Sequence, residues 1–291
     1  YLSLKHMLAL SSEVLKDESL EEEIIGSMAG IRQAVEDHAW DGEWYLQGYS
    51  DSGAPVGSKQ NTQGKLFLVP QAWAAYSGVA SKERIEKSFA AVEKYLDSNT
   101  GCVMCYPPFT SRDDHVGRLT VILPGMYENA STYCHGSAFM IAAYLTEGRA
   151  NEAWDLFKKV APDSAGHPSD VSGVEPYAFT NQYLGPVSTR AGVSVSGWIT
   201  GTAGWMYRIM VNDFFGFKPD FNGVTIKPSI PDEWDGASIT TSLRGTRYSI
   251  EIKRDKEKRR GRIGMVVNGV EQRGDFLPYG NEKEIDVIVY C

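Results

Sequence analysis

Apolar residues recur every three to four positions over 1–17, 19–38, 67–79, 82–97, 135–147, 150–160 and 198–215, and each stretch predicts a helix. The first begins with no capping residue ahead of Leu2, the expectation for a fragment whose own start lies upstream. Between the helices lie polar stretches at 41–65, 98–134 and 161–197, rich in Gly, Pro, Asn and Asp. Loops of that length carry function or pair into short ribbons, since their backbone groups otherwise lack partners. After Phe217 the period shortens to two, in "GVTIKPSI", "ASITTSL", "RYSIEIKR", "IGMVVNGV" and "IDVIVY". Asn-Gly at 222–223 and 268–269, between β-branched residues, is the hairpin signal. Helices followed by strands predict an α+β, two-domain chain: 1–216 helical, 217–291 an antiparallel β-sandwich. Seven helices with long polar loops at one end suit an incomplete helical barrel, with any site in those loops and the helix ends beside them.

The 291 residues suffice for a sizeable core, and the net charge of −8 leaves no basic face for nucleic acid. The one dense cationic run, "RDKEKRRGR" at 254–262, carries its own acids and reads as a solvated hairpin turn. No run approaches the roughly 18 apolar residues of a membrane span, and no signal pattern opens the chain. Four cysteines are too few for a disulfide framework, and Cys102 with Cys105 form one isolated CxxC without a second pair for zinc. Reduced packing thiols and a cytoplasmic location follow.

Aromatics crowd the loops: Trp40, Trp44, Tyr45 and Tyr49 in the first, Tyr106, Tyr127 and Tyr133 in the second, and Tyr177, Phe179 and Tyr183 in the third, with Trp198 and Trp205 beyond. Interleaved with acids and amides they suit sugars, whose C–H faces meet rings and whose hydroxyls meet carboxylates. For any single ring, plugging the loop onto the helices is the competing role. "ENASTYCHG" (128–136) gathers a carboxylate, an amide, two aliphatic hydroxyls, a thiol and an imidazole before a helix. "GWITGTAGW" (197–205) opens another with Thr200 and Gly201. Free N–H groups at a helix start favour anions, so two such starts together would hold a dianion. Taken singly, Thr is an ordinary cap and His135 an ordinary structural histidine.

"AWDGEWYLQGYSDSGAPVGS", "GKLFLVPQAWAAYSGVA", "YENASTYCH", "VEPYAFTNQYLGP", "WITGTAGWMYR" and "IKPSIPDEWDGASITTSLRGTRYSIEIK" occur in that order. Together they resemble the C-terminal part of glycoside hydrolase family 94, the cellobiose, cellobionic acid and chitobiose phosphorylases. The resemblance implies an (α/α)6 barrel, of which this chain holds the later helices, followed by a small β domain. It implies inverting phosphorolysis of a β-linked glucosyl disaccharide to α-glucose 1-phosphate, with inorganic phosphate as co-substrate and no cofactor or metal. It also implies a homodimer for the intact protein.

Residue by residue, His135, Thr200 and Gly201 match the family's phosphate contacts, and Lys65 and Glu128 match groups on the donor sugar. The family's donor-sugar Gln falls at Asn181, with Gln182 beside it. The family's general-acid Asp is expected upstream of Tyr1, and the spacing of Asp41, Glu43, Asp51, Asp113 and Asp114 recommends none as a substitute. Tyr127 replaces the usual Lys before Glu128, and Arg118 lies upstream in the same loop, as in members that take an acidic acceptor. The alternative for Arg118 is an ion pair with Asp113 or Asp114. Rival readings are the phosphorylase-like region of a cyclic β-1,2-glucan synthase, an inverting (α/α)6 hydrolase, and a non-catalytic carbohydrate-binding fragment.

Overall fold

The helices fall into two kinds by burial. α3 (Leu68–Ser77) and α5 (Cys134–Thr146) bury residues around most of their circumference. α4 (Lys82–Tyr95) and α6 (Ala150–Val160) bury one stripe each, Ile85, Phe89 and Val92 in the first and Ala153, Leu156 and Val160 in the second. A helix apolar all round must be enclosed, whereas a striped one lies against a core and faces water. α5 packs on α3, and burying Met140, Ile141 and Leu145 stabilises by about 2 kcal/mol each. α1 (Leu2–Leu10) and α2 (Glu18–His38) contribute only Ile24 to the core. The helix predicted over 1–17 is interrupted: a π-helical turn at Ser11–Leu15 ends at Lys16, whose φ of 57° turns the chain, and Asp17 caps α2 through the Leu20 N–H.

The computed structural model describes residues 1–163, 165–254 and 264–291. They form two compact units, one of Tyr1–Glu147 with Ala153–Trp205, the other of Gly148–Glu152 with Met206–Cys291.

In the first unit the long loops pair into ribbons. β1 (Gly48–Tyr49) meets β2 (Pro55–Val56). Of β3 (Leu66–Phe67), β4 (Asp97–Ser98), β5 (Gly101–Cys102) and β6 (Cys105–Tyr106), the outer two pair with each other and so do the inner two. β7 (Thr132–Tyr133), β8 (Thr180–Tyr183) and β9 (Ser194–Gly197) form a three-stranded sheet in that order. This sheet is what brings the second and third long loops together, directly ahead of the two helix starts that the sequence singled out. Between them in the chain lies the short α7 (Ser169–Ser172). α8 (Thr202–Arg208) begins four residues later than the predicted helix and continues as a π-helical segment, Ile209–Phe214.

The second unit contains β10 (Phe217–Pro219), β11 (Gly223–Ile226), β12 (Gly236–Leu243), β13 (Thr246–Lys253), β14 (Met265–Val267), β15 (Val270–Gln272), β16 (Phe276–Pro278) and β17 (Glu284–Tyr290). A sheet in the order β10-β11-β16 and one in the order β12-β13-β17-β14-β15 share one apolar core. Val224, Ile226 and Leu277 come from the first sheet, and Tyr248, Ile250, Val287 and Val289 from the second. Each Asn-Gly pair links two antiparallel strands, and Asn268 and Gly269 form a two-residue turn at φ 47° and 81°. One expectation is corrected: the module is mixed, because β13 and β17 run parallel over Arg247–Lys253 and Glu284–Tyr290. Parallel partners need a long connection, and here it runs through three other strands. Residues 255–262 of the cationic run lie outside the described residues, and Arg254 donates to the Trp234 carbonyl.

Candidate active site

A cavity of about 700 Å³ opens among the ribbons of the first unit. Tyr49, Phe67, Met104 and Tyr127 give it apolar walls, and Gln47, His115, Arg118 and Glu128 give it polar ones. An apolar concavity with a few polar groups is the ordinary form of a small-molecule site. Three of the sequence candidates, Arg118, Tyr127 and Glu128, therefore share one wall.

The loop behind that wall is held by Asn129. Its wholly buried side chain accepts the Phe109 N–H at 2.8 Å and donates to the carbonyls of Phe109 (2.8 Å) and Ile122 (2.7 Å). Tyr127 and Ala130, on either side, adopt left-handed φ of 46° and 63°. Such conformations persist in non-glycine residues only where surrounding structure enforces them. Here three hydrogen bonds to one amide hold the turn, and Glu128 stays exposed beside the cavity.

Arg118 lines the cavity without a carboxylate partner among the described residues. Asp114 pairs with Arg112 at 2.6 Å, and Asp113 accepts the His115 N–H through its carboxylate and the Gly117 N–H through its carbonyl. The ion pair weighed as its alternative is absent among those residues, and Asp113 and Asp114 are engaged in their own loop. Asp41 is likewise engaged, by the Ser58 hydroxyl (3.1 Å) and the Lys59 N–H (2.6 Å).

The two helix starts converge. A methyl group on Gly201 would lie 2.6 Å from His135 Cε1 and 2.9 Å from its Nε2, so the glycine backbone packs directly on the imidazole. Only glycine allows that approach. Thr200 precedes the contact, its hydroxyl accepting the Thr202 N–H at 3.1 Å and lying 2.7 Å from the Thr202 hydroxyl. His135 is half-buried, its ring tilted against Phe139 at 5.4 Å, and desolvation pushes its pKa below the ordinary histidine value. Desolvation thus favours its neutral form. Met104 joins this contact to the cavity: it lines the cavity, and its sulfur packs on Gly136, next to His135.

The other candidates are placed less centrally. Lys65 stands one residue before β3, outside the cavity wall, where its carbonyl accepts the Trp44 indole N–H. On β8 the neighbouring amides face opposite ways. Asn181 is half-buried with no hydrogen bond among the described residues, and Gln182 is wholly buried with both amide atoms unpaired. Of the loop aromatics, Trp44, Tyr45 and Tyr183 are core, and Tyr49 and Tyr127 line the cavity. The thiols of Cys102, Cys105 and Cys134 are buried, and burial raises all three, to about 12 for Cys105 and Cys134, which makes them inert packing groups. Sequence reasoning passed over His115, Gln47, Met104 and the clamping role of Asn129. For His115 a signal existed, a second basic side chain three residues before Arg118. For Asn129 none did, because its partners Phe109 and Ile122 are set by tertiary folding.

Among the described residues no group of His, Cys, Asp and Glu converges on a metal-sized site, and no helix is long and apolar enough to cross a membrane.

An apolar cavity with charged groups on its wall has the form of a small-molecule site, and the contact of His135 with Gly201 lies nearby through Met104. Residues 1–216 match the glycosyl hydrolase 94 superfamily, catalytic domain, and the chain belongs to that family. It is 41% identical over 278 residues to a solabiose phosphorylase of Paenibacillus borealis, covering 96% of this chain and 36% of that protein. It is 35% identical over 260 residues to a 3-O-beta-D-glucopyranosyl-beta-D-glucuronide phosphorylase of the same organism, covering 89% and 34%. The chain thus spans about a third of the length of these relatives. Among solved structures a sialidase shares the fold alone, with a TM-score of 0.54 and 11% identity over 81% of this chain and 21% of that one.

Proposed function

We propose that this chain supplies the phosphate pocket and part of the sugar site of an inverting glycoside phosphorylase, which converts a β-linked glucosyl disaccharide and phosphate to α-glucose 1-phosphate and the released acceptor. The observation that carries this is the packing of the His135 imidazole on Gly201, with the Thr200 hydroxyl on the adjoining residue. A hydroxyl, an imidazole and the helix-start N–H groups beyond Thr202 can hold phosphate without a carboxylate base, as a nucleophile that is already anionic requires. Phosphate oxygen bonds to the anomeric carbon as the glycosidic C–O bond breaks, and a carboxylic acid gives its proton to the departing oxygen. In this reading the acid comes from a segment outside this chain, and the engagement of Asp41, Asp113 and Asp114 in their own loops removes three of the candidates within it.

Glu128 and Asn181 are the donor-sugar groups in this reading. The accessible Asn181 is preferred over the enclosed Gln182. An acidic acceptor is favoured by the unpaired Arg118 and by His115 on the same wall, and one relative is named for a glucuronide. The alternation of enclosed and striped helices supports later helices of an (α/α)6 barrel over 1–216, and the two sheets around one core support a β-sandwich over 217–291.

The test is phosphate-dependent release of glucose 1-phosphate by the full-length protein, which His135→Ala should abolish. Sugar release that proceeds equally without phosphate would show a hydrolase instead. In the synthetic direction, Arg118→Glu should lower the preference for gluconate or glucuronate over glucose at least tenfold; an unchanged preference removes the acidic-acceptor assignment.

A further inference from the structure

Trp198 combines two unfavourable features. Its φ is 69°, a left-handed conformation that bulky side chains rarely adopt, and its side chain is 70% exposed. Burial therefore does not hold it. What does hold it is a pair of hydrogen bonds to the loop before β8: its backbone N–H donates to the Phe179 carbonyl at 3.1 Å, and its indole N–H donates to Glu175 Oε2 at 3.0 Å. The Trp198 carbonyl in turn accepts the Thr200 N–H at 3.0 Å, closing a tight turn that ends at Thr200 and Gly201. Tyr177 and Ser196, in the same two loops, are also left-handed, at 67° and 60°. Strain of this kind marks backbone placed for a purpose and survives only where contacts enforce it.

We propose that Glu175 and Trp198 are positioning residues: their hydrogen bond latches the strained turn that presses Gly201 and the Thr200 hydroxyl toward the His135 imidazole. Neither side chain need touch a ligand. Glu175 lies on the segment leading into β8, which carries Asn181, so the latch ties the strand of one site group to the turn of another. The effect on phosphate rests on the function proposed above; the effect on His135 does not.

The test exploits that separation. His135 modification by diethylpyrocarbonate is followed by peptide mass spectrometry in the full-length protein, with and without inorganic phosphate. Releasing the latch frees the imidazole from Gly201, so Glu175→Ala and Trp198→Phe should each raise the modification rate about threefold or more. Glu175→Gln keeps an acceptor for the indole and should leave the rate at the parent value. Phosphate affinity should follow the same order, weakened about tenfold in the first two variants and retained in the third. An unchanged His135 rate in Glu175→Ala and Trp198→Phe, with melting temperatures preserved, overturns the latch whatever phosphate does. A rate that tracks Glu175 while phosphate neither protects His135 nor binds the parent upholds the latch and overturns the phosphate assignment. The exposure of Trp198 makes the variants safe for folding, so a lost fold is not a foreseen result.

Discussion

The two units use left-handed backbone differently. Its non-glycine instances in the β unit are Arg244 and Asn268, each at a reversal of antiparallel strands with a left-handed glycine second. There the conformation serves the hairpin, whose twist demands it. In the helical unit, apart from Lys16 between the first two helices, it falls on Tyr127, Ala130, Tyr177, Ser196 and Trp198, all in the second and third long loops that carry the cavity wall and the His135–Gly201 contact. Conformation of the first kind belongs to the fold, whereas at Tyr127 and Ala130 it flanks the Asn129 hydrogen bonds and at Trp198 it is held by bonds to Phe179 and Glu175. The contrast teaches where stability and site geometry should separate on mutation.

The largest effect is expected where they do not separate. Asn129→Ala leaves the Phe109 N–H and two carbonyls unpaired in the interior and should destabilise the chain by about 3 kcal/mol, read from urea unfolding. It should also loosen Tyr127 and Glu128, so sugar binding falls with it. Gly201→Ala tests the separation directly: its methyl would overlap the His135 ring, and phosphate-dependent turnover should fall about 100-fold with the melting temperature nearly unchanged. A large loss of stability in that variant would break the contrast. Gly269→Ala is the converse, with about 1 kcal/mol of stability lost at φ 81° and turnover at the parent level.

The smallest effect concerns pH. Desolvation makes folded His135 hold its proton less tightly than in the unfolded chain, so the unfolded state binds more protons in the histidine range. Stability therefore rises with pH through that range and falls as pH drops below it. His167, also desolvated, adds a slope of the same sign. His135→Asn should make the urea midpoint less dependent on pH between about pH 5 and 7, with part of the slope remaining from His167.

Much of the chain was legible because it is locally determined. The striped helices α4 and α6 and the alternating strands of the β unit carry their burial pattern in their own periodicity, and Asn268-Gly269 states its turn in two residues. The parallel pairing of β13 with β17 was not legible, because nothing in either strand names a partner thirty-odd residues away in the chain. The chemical role of Arg118 was open for the same reason: two arginines and two aspartates over 112–118 admit several pairings, and folding chose Arg112 for Asp114.

By itself the sequence determined the residue types on offer, the periods of its helices and strands, and the strings that place it in its family. Tertiary structure alone decided that the imidazole of one loop rests on the glycine of another, that Asn181 is accessible where Gln182 is sealed, and that an amide inside "ENASTYCHG" is a clamp and its neighbour a cavity wall. The reason is physical: periodicity and turn chemistry act over a few residues, whereas these contacts join segments far apart in the chain, and only the packed whole fixes which of them meet.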